Sequence, residues 1–458
     1  MSIFAKKMIR MDRREFLKKT AVVAGGILLA SPLASVMASD DRMKQRIFHS
    51  DEEDHKMTYR VHHGSGDKVS LLGFGMMRLP DSQEKVNQLV DYAISHGVNY
   101  FDTAPMYKGG RNEAQTGQAL NRYPREKYFV ATKMSNYDRA TQQFDNARKM
   151  YENSFRELRV DYIDYYLLHG VGGSGMDELR RRYLDNGILD FLLREREAGR
   201  IRHLGFSYHG NVEVFDFLLD HQHEYHWDFA QIQMNYLDWR HALLEKGGWK
   251  HDADAEYLYN KMEKTGVQTI VMEPLRGGSL AKMRDILANR LKALRPDDSL
   301  ASWAMRWVGS HPNILTTLSG MNEMSHLEDN IHTFSPLDPC TESENRLLEE
   351  IADVMAGFPV IPCTTCRYCM PCPFGVDIPG NFAYYNETVE KQILPLPDKT
   401  AADYLTRKQQ FTEGLKKALP DTTTWAGQCV GCEACLKKCP QQIRIPNQMA
   451  RIVETMGQ

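Results

Sequence analysis

Eight of the chain's nine cysteines lie in two compact runs near its C-terminus: Cys363, Cys366, Cys369 and Cys372 before Pro373, and Cys429, Cys432, Cys435 and Cys439 before Pro440. Thiolates three residues apart can hold three corners of an iron–sulfur cubane within one turn of chain, and a fourth cysteine before proline commonly reaches to a second cubane. The runs therefore predict two [4Fe-4S] clusters, one held by Cys363, Cys366, Cys369 and Cys439, the other by Cys429, Cys432, Cys435 and Cys372. The first run departs from the common spacing, with two residues instead of three before its fourth cysteine. Disulfides compete poorly, because bridges within a run would be strained and the runs are not the spread framework of small secreted domains. Paired zinc sites stay as the alternative, since thiolate quartets also suit Zn²⁺. Cys340 stands alone and reads as an ordinary thiol.

The other end of the chain says where such cofactors travel. Asp12-Arg13-Arg14-Glu15-Phe16-Leu17-Lys18 is a twin-arginine sequence, followed by an apolar stretch from 21 to about 34 and the small-residue site Val36-Met37-Ala38. That stretch is too short for a comfortable permanent span of a bilayer. Residues 1–38 are thus expected to be a signal peptide read by the twin-arginine export machinery, with the mature protein periplasmic and without a permanent membrane span. This route carries folded proteins, which suits clusters inserted in the reducing cytoplasm. Residues 39–57, with the run Asp51-Glu52-Glu53-Asp54, read as a polar linker.

These groups need elements to position them. The 458 residues, 42% hydrophobic and 26% charged, can bury a sizeable core and fill more than one domain. A formal net charge of -3 offers no electrostatic case for nucleic acid. Over residues 58–335, brief apolar runs alternate with helical-period stretches such as 83–95 and 142–158. The runs at 69–75, 98–101, 129–132, 162–168, 203–207, 229–234, 268–272 and 314–318 are mostly too continuously apolar for half-buried strands. Eight such units predict an α/β fold, a closed (β/α)8 TIM barrel. An open doubly wound sheet ranks below it, because no GxGxxG follows the first strand. Residues 336–458 then form a C-terminal helical segment and a small, mainly helical two-cluster ferredoxin-like domain, helical over 381–392 and 401–415, with Tyr384, Tyr385 and Phe411 in its core rather than on a partner face.

In such a barrel, reactive side chains belong where strands end. The second strand runs into Asp102-Thr103-Ala104-Pro105-Met106-Tyr107, the third ends in Ala131-Thr132-Lys133 and the fourth in Tyr166-Leu167-Leu168-His169. Singly, each has a plain explanation as a helix cap, a surface cation or a satisfied core histidine. Together and in this order, Asp102, Tyr107, Lys133 and His169 resemble the tetrad of the aldo/keto reductase superfamily, over about 270 residues. With the double cluster tail, the chain resembles the iron–sulfur branch of that superfamily. The resemblance implies an oxidoreductase that transfers a hydride between a nicotinamide nucleotide, NAD(P), and a small carbonyl or hydroxyl substrate, sugar-derived or aromatic. In that chemistry Tyr107 gives the developing alkoxide its proton, helped by a cation that lowers the phenol from its ordinary value of about 10. Lys133 is expected beside it, Asp102 paired with Lys133, and His169 donating a hydrogen bond to the carbonyl oxygen.

The same resemblance places Ser207, Gln233, Pro274, Leu275 and Gly277 near nicotinamide and pyrophosphate. It places Ser319, Gly320, Asp329 and Asn330 around the adenosine end. Two departures stand out: Tyr208 follows Ser207 where the family usually has Asn, and the segment from Gly320 to Asn330 offers Asn322 and His326 but no Arg or Lys for a 2′-phosphate. NAD and NADP both stay open. Free nucleotide is scarce outside the cytoplasm, so the cofactor is expected either to be loaded tightly before export, or to work with the clusters through a redox partner protein that splits the hydride's electron pair. An exported electron-transfer protein, with the barrel as a docking or binding scaffold, is the alternative of another class. The loops at 170–185 and 238–252 carry no motif that names a substrate.

Overall fold

Eight short runs of buried residues pair side by side in chain order, all parallel, and close on themselves. They are β1 (Leu72–Gly75), β2 (Tyr100–Asp102), β3 (Phe129–Met134), β4 (Ile163–Val171), β5 (Ile201–Tyr208), β6 (Phe229–Gln233), β7 (Gln268–Met272) and β8 (Ile314–Ser319). The structure is a computed structural model and describes residues 48–49, 56–242, 253–357, 359–391, 393–395 and 402–456. The twin-arginine segment, most of the linker at 39–57 and residues 243–252 lie outside the described residues.

Strands covered on both faces lose the polar alternation of half-buried ones, which is why these read as continuous apolar runs. Every residue of β2 and β4 is buried. Inside the barrel, Tyr100, Tyr165, Phe229, Ile270 and Leu315 fill the lumen. Outside, helices such as Gln83–Ser95 lay an apolar stripe, here Val86, Leu89, Val90 and Ala93, against the strands. Ser82 starts that helix by accepting from the Lys85 N–H, and Asn211 does the same for Val212–Asp220 through the Val214 N–H.

Two expectations are corrected. The run at 69–75 is two strands: Lys68–Ser70 joins Thr58–Val61 and Phe48–His49 in a small antiparallel sheet, and the barrel begins only at Leu72. The chain changes partner at Leu71, whose N–H donates to the Thr58 carbonyl at 2.8 Å. This sheet covers the end of the barrel where strands start, as the His63 N–H bonded to Gln268 Oε1 at 2.7 Å shows. Secondly, Glu342–Ala356 packs Leu348, Ile351 and Ala352 into the barrel's core, so the boundary between the two cores falls after 357 instead of at 335.

The tail gathers Ile378–Glu390, Tyr404–Ala418 and Ile445–Met456 around a separate core that includes Phe382, Phe411, Leu415 and Ile452. Tyr384, Tyr385 and Phe411 are buried in it. Among the described residues no helix is long and apolar enough to cross a membrane.

Candidate active site

The parallel register sets Asp102 beside Ala131 and Lys133 beside Leu167, so the ends of β2, β3 and β4 bring an acid, a base and an imidazole to one mouth of the barrel. Lys133 Nζ donates to Asp102 Oδ1 at 2.6 Å and to the Thr103 carbonyl at 2.8 Å. The two side chains are 1% and 4% exposed. Tyr107, on the turn Tyr107–Gly110 after β2, lays its ring 5.1 Å from Lys133 Nζ. Its ring meets that of His169 edge-on, with centroids 5.8 Å apart.

Burial pushes the Asp102 carboxyl up and the Lys133 ammonium down, while their attraction opposes both. His169 is driven well below its ordinary value by burial, with Lys133 and Arg182 adding to it, and so stays neutral. Ser135 Oγ lies 2.6 Å from its Nδ1, and Arg182 holds its carbonyl from Nη2 at 2.5 Å. The lowered Tyr107 phenol expected from the sequence is not found. Burial and the Asp102 charge hold it well above the ordinary value, against an opposing hydrogen bond to the Tyr368 hydroxyl.

A cavity of about 430 Å³ opens beside these four residues. Ser207, Pro274, Leu275 and Gly277 line it, and so do Ser319, Gly320, Asp329 and Asn330. Gln233 does not, and its placement is corrected: its Nε2 donates to Asp238 Oδ2 and its Oε1 accepts from Gln441 Nε2. Gln231, two residues earlier on the same strand face, lines the cavity instead, with its Oε1 buried and unbonded among the described residues. Besides Lys133, the wall carries the cations Arg78 and Lys282, both from outside the segment between Gly320 and Asn330 that offers none. Glu273, in left-handed backbone at φ 56°, accepts from the Gly277 N–H at 2.7 Å.

The tail supplies part of this wall. Cys366, Tyr368, Pro440 and Gln441 all face the cavity. Arg78 Nη2 donates to the Thr364 carbonyl at 2.6 Å, and Thr364 presses so closely on Gly277 that a Cβ there would overlap it. No periodicity or motif announces Tyr368, because it lies inside a cysteine run whose spacing already has an explanation.

The thiols fall into two neighbourhoods. Cys439 faces Cys366 and Cys363, which also lie beside Cys369, and Cys435 faces Cys429, Cys432 and Cys372; the two sets meet where Cys435 also comes near Cys369. Thr365, Arg367 and Glu433 take left-handed backbone at φ 54°, 63° and 58°, which curls each run around its own sulfurs. Burial, with the neighbouring sulfurs, pushes the bare thiols up, Cys363 to about 11 and Cys369 to about 12. A cationic iron core reverses that preference by coordinating the thiolates, so two thiol quartets, half-buried for the most part with Cys432 exposed, fit two [4Fe-4S] clusters. Cys340 lies apart from both sets, against the barrel's core.

A closed parallel barrel whose reactive groups gather where its strands end is the architecture of the (β/α)8 enzymes. Residues 71–353 match the Aldo/keto reductase family, and the chain belongs to it; residues 362–444 match the 4Fe-4S dicluster domain. The chain is 24% identical to L-galactose dehydrogenase of Arabidopsis thaliana over 316 residues, 64% of this chain and 93% of that protein. It is 27% identical to Protein tas of Escherichia coli over 326 residues, 60% of this chain and 92% of that protein. Among solved structures, the holo form of aldo-keto reductase AKR11C1 from Bacillus halodurans superposes with a TM-score of 0.51 at 23% identity, covering 64% of this chain and 96% of that one. An aldo-keto reductase from Klebsiella pneumoniae in complex with NADPH superposes with a TM-score of 0.51 at 21% identity, covering 64% and 94%. At such identities the superpositions establish the fold.

Proposed function

We propose that this protein transfers a hydride between a nicotinamide nucleotide, NAD or NADP, and a small carbonyl or hydroxyl compound, with two [4Fe-4S] clusters in its tail. The observation that carries this is the convergence of Tyr107, His169 and the buried Lys133–Asp102 pair on one cavity large enough for a ligand. The nucleotide would give or take the hydride; the chain's own residues manage the proton and the geometry. Tyr107 passes its proton to the developing alkoxide, and the Lys133 ammonium, 5.1 Å from the ring, stabilises the phenolate left behind. In the tautomer this reading requires, Ser135 donates to His169 Nδ1 across 2.6 Å and the imidazole keeps its proton on Nε2, to hold the carbonyl oxygen in line.

The NADPH complex of the Klebsiella pneumoniae relative supports a nicotinamide in the cavity lined by Ser207, Leu275, Ser319 and Asn330. Arg78 and Lys282 are the groups that would meet its phosphates. The sulfur neighbourhoods favour Cys363, Cys366, Cys369 and Cys439 for one cluster and Cys429, Cys432, Cys435 and Cys372 for the other. Cys366 on the cavity wall favours a cluster that exchanges electrons with this site, and through it with a redox partner protein, over one that only staples the tail. Export to the periplasm through the twin-arginine route follows from Arg13, Arg14 and the apolar stretch behind them.

The test is anaerobic purification, acid release of bound molecules and mass spectrometry, with an iron assay alongside. The expected result is about eight irons per chain and a nicotinamide nucleotide, retained or bound when added back, with turnover abolished by Tyr107→Phe. Iron without any nucleotide binding would leave an electron-transfer protein on a barrel scaffold.

A further inference from the structure

The end of the barrel where strands start carries three metal-ligating side chains that the proposed reaction does not use. His62 lies in the turn between Thr58–Val61 and Lys68–Ser70, His203 near the start of β5, and Asp228 immediately before β6. Each offers one donor atom, and those atoms lie within 4.8 Å of one another. The turn is fixed by its backbone: the His62 N–H donates to the Asp67 carbonyl and the Gly66 N–H to the His62 carbonyl, both at 2.9 Å. Strand pairing fixes Asp228, whose N–H donates to the Leu204 carbonyl at 3.0 Å and whose Oδ2 accepts from the Leu204 N–H at 2.9 Å.

The two histidines are 1% and 5% exposed, and their ring centroids are 4.1 Å apart. Each has a buried ring nitrogen with no hydrogen-bond partner among the described residues, Nε2 of His62 and Nδ1 of His203. Buried polar atoms are rarely left so without a reason. His203 stands between two acids, its Nε2 3.2 Å from Asp67 Oδ2 and its Nδ1 3.7 Å from Asp228 Oδ1. A neutral ring that donates to Asp67 turns the lone pair of Nδ1 toward a carboxylate oxygen, which is repulsive unless a cation lies between them. A doubly protonated ring would meet Asp228 across a gap too long for a hydrogen bond. Metal–ligand bonds of about 2.1 Å at a tetrahedral angle separate two donors by roughly 3.4 Å, close to that gap.

We infer that a Zn²⁺ ion binds between His62, His203 and Asp228 and clamps the turn at 62–67 to the floor of the barrel. Two imidazoles and a carboxylate are a zinc donor set, with a fourth position left for water. Asp67 holds the Nε2 proton of His203, which leaves Nδ1 to the metal. For His62 to bind through Nε2, its proton moves to Nδ1 and is donated to Ser65 Oγ at 3.2 Å, in place of the contact from the Ser65 N–H at the same distance. Ser65 Oγ in turn donates to Asp67 Oδ2 at 2.8 Å, so one carboxylate supports both imidazoles. Asp228 keeps Oδ2 for Leu204 and for Arg196 at 3.5 Å and gives Oδ1 to the ion. One ligand comes from the turn and two from the barrel, at the end where side chains serve stability and not chemistry.

The test is zinc and iron analysis of the holoprotein, clusters intact, after incubation with Zn²⁺ and gel filtration, together with X-ray absorption at the zinc edge. About one Zn²⁺ per chain is expected, with nitrogen and oxygen neighbours at about 2.0–2.2 Å and no sulfur at about 2.3 Å, and with a higher melting temperature than the zinc-free protein. His62→Gln and His203→Gln should each abolish retention at unchanged iron content. His62→Gln alters only the turn, so it gives the answer should the strand variant fail to fold. Asp67→Asn, which removes a supporting contact and no ligand, should weaken zinc about tenfold in chelator competition. Zinc with sulfur neighbours would move the ion to the cysteine runs and overturn the site. Zinc unaltered by the histidine variants would overturn it too, as would no retained zinc, which would leave His203 as a plain cation between two carboxylates.

Discussion

In the barrel, Asp102, Lys133 and His169 project from strands hydrogen-bonded on both sides, whereas in the tail both cysteine runs lie on turns between short helices. The barrel side chains are backed by a closed sheet and an apolar lumen, so their geometry exists without any ligand. The tail has a smaller core, with Cys369 within it and Cys363, Cys372, Cys429, Cys435 and Cys439 against it. The proposed clusters would tie each quartet of sulfurs together and so would add to what that smaller core holds. The proposed reaction pocket would then be walled by a preformed half and a metal-dependent half.

The sharpest way to break this contrast is to remove a cluster. Cys369→Ala should lose about four of eight irons, loosen the tail's core and open its segments beyond 357 to limited proteolysis. The barrel's far-UV circular dichroism and melting should persist. A barrel that melts together with the tail would mean that the two halves stabilise each other and that the contrast is false.

Next in size is the buried pair. Lys133→Met leaves Asp102 as a lone buried carboxylate and should cost about 3–5 kcal/mol in denaturant unfolding. Adding Asp102→Asn should restore much of that stability without restoring turnover, which separates the structural from the chemical role of the pair. A smaller effect is expected at Glu344, which ties Glu342–Ala356 to the barrel. Burial alone would raise its carboxyl, but the Thr341 N–H, Arg306 and Arg295 outweigh it and hold it at about 2 against an ordinary 4.5. A depressed folded value means that its contribution is fully present above pH 4.5 and is lost as pH falls toward 2. Glu344→Gln should therefore lower stability by about 1–3 kcal/mol at neutral pH, with the gap to wild type closing on acidification. A gap that does not change between pH 6 and 3 would refute the assignment.

What was legible in the sequence was local. Cysteine spacing, the order of strand ends and the amphipathic stripe of Gln83–Ser95 each depend on residues close together in the chain. The break at Leu71 was hidden because the residues on both sides are apolar in either sheet. Glu342–Ala356 carries an apolar stripe that fits a barrel or a tail equally well, and only packing decides. That Ser207, Pro274, Leu275, Gly277, Ser319, Gly320, Asp329 and Asn330 share one cavity was legible by resemblance, but the tail's share of its wall was not. Tyr368 and Gln441 reach the site through a docking of two cores that no short-range pattern encodes.

The smallest expected effect separates two glutamines that sequence pattern alone could not. Gln231 and Gln233 both point inward on β6, since alternate residues share a strand face, and their depth depends on the register with β5 and β7. Gln231 lines the cavity beside the tetrad, where the nucleotide is proposed to bind, whereas Gln233 is bonded to Asp238 and to Gln441 of the tail. Gln231→Ala should weaken nucleotide binding about fivefold, the worth of roughly 1 kcal/mol, and leave the tail's protease resistance alone. Gln233→Ala should do the reverse, loosening the tail by a similar amount with nucleotide affinity unchanged. Fluorescence titration with NADH and NADPH beside limited proteolysis reads both. The opposite pattern would return Gln233 to the nucleotide wall and make Gln441 its rival for that contact, coupling tail docking directly to cofactor binding.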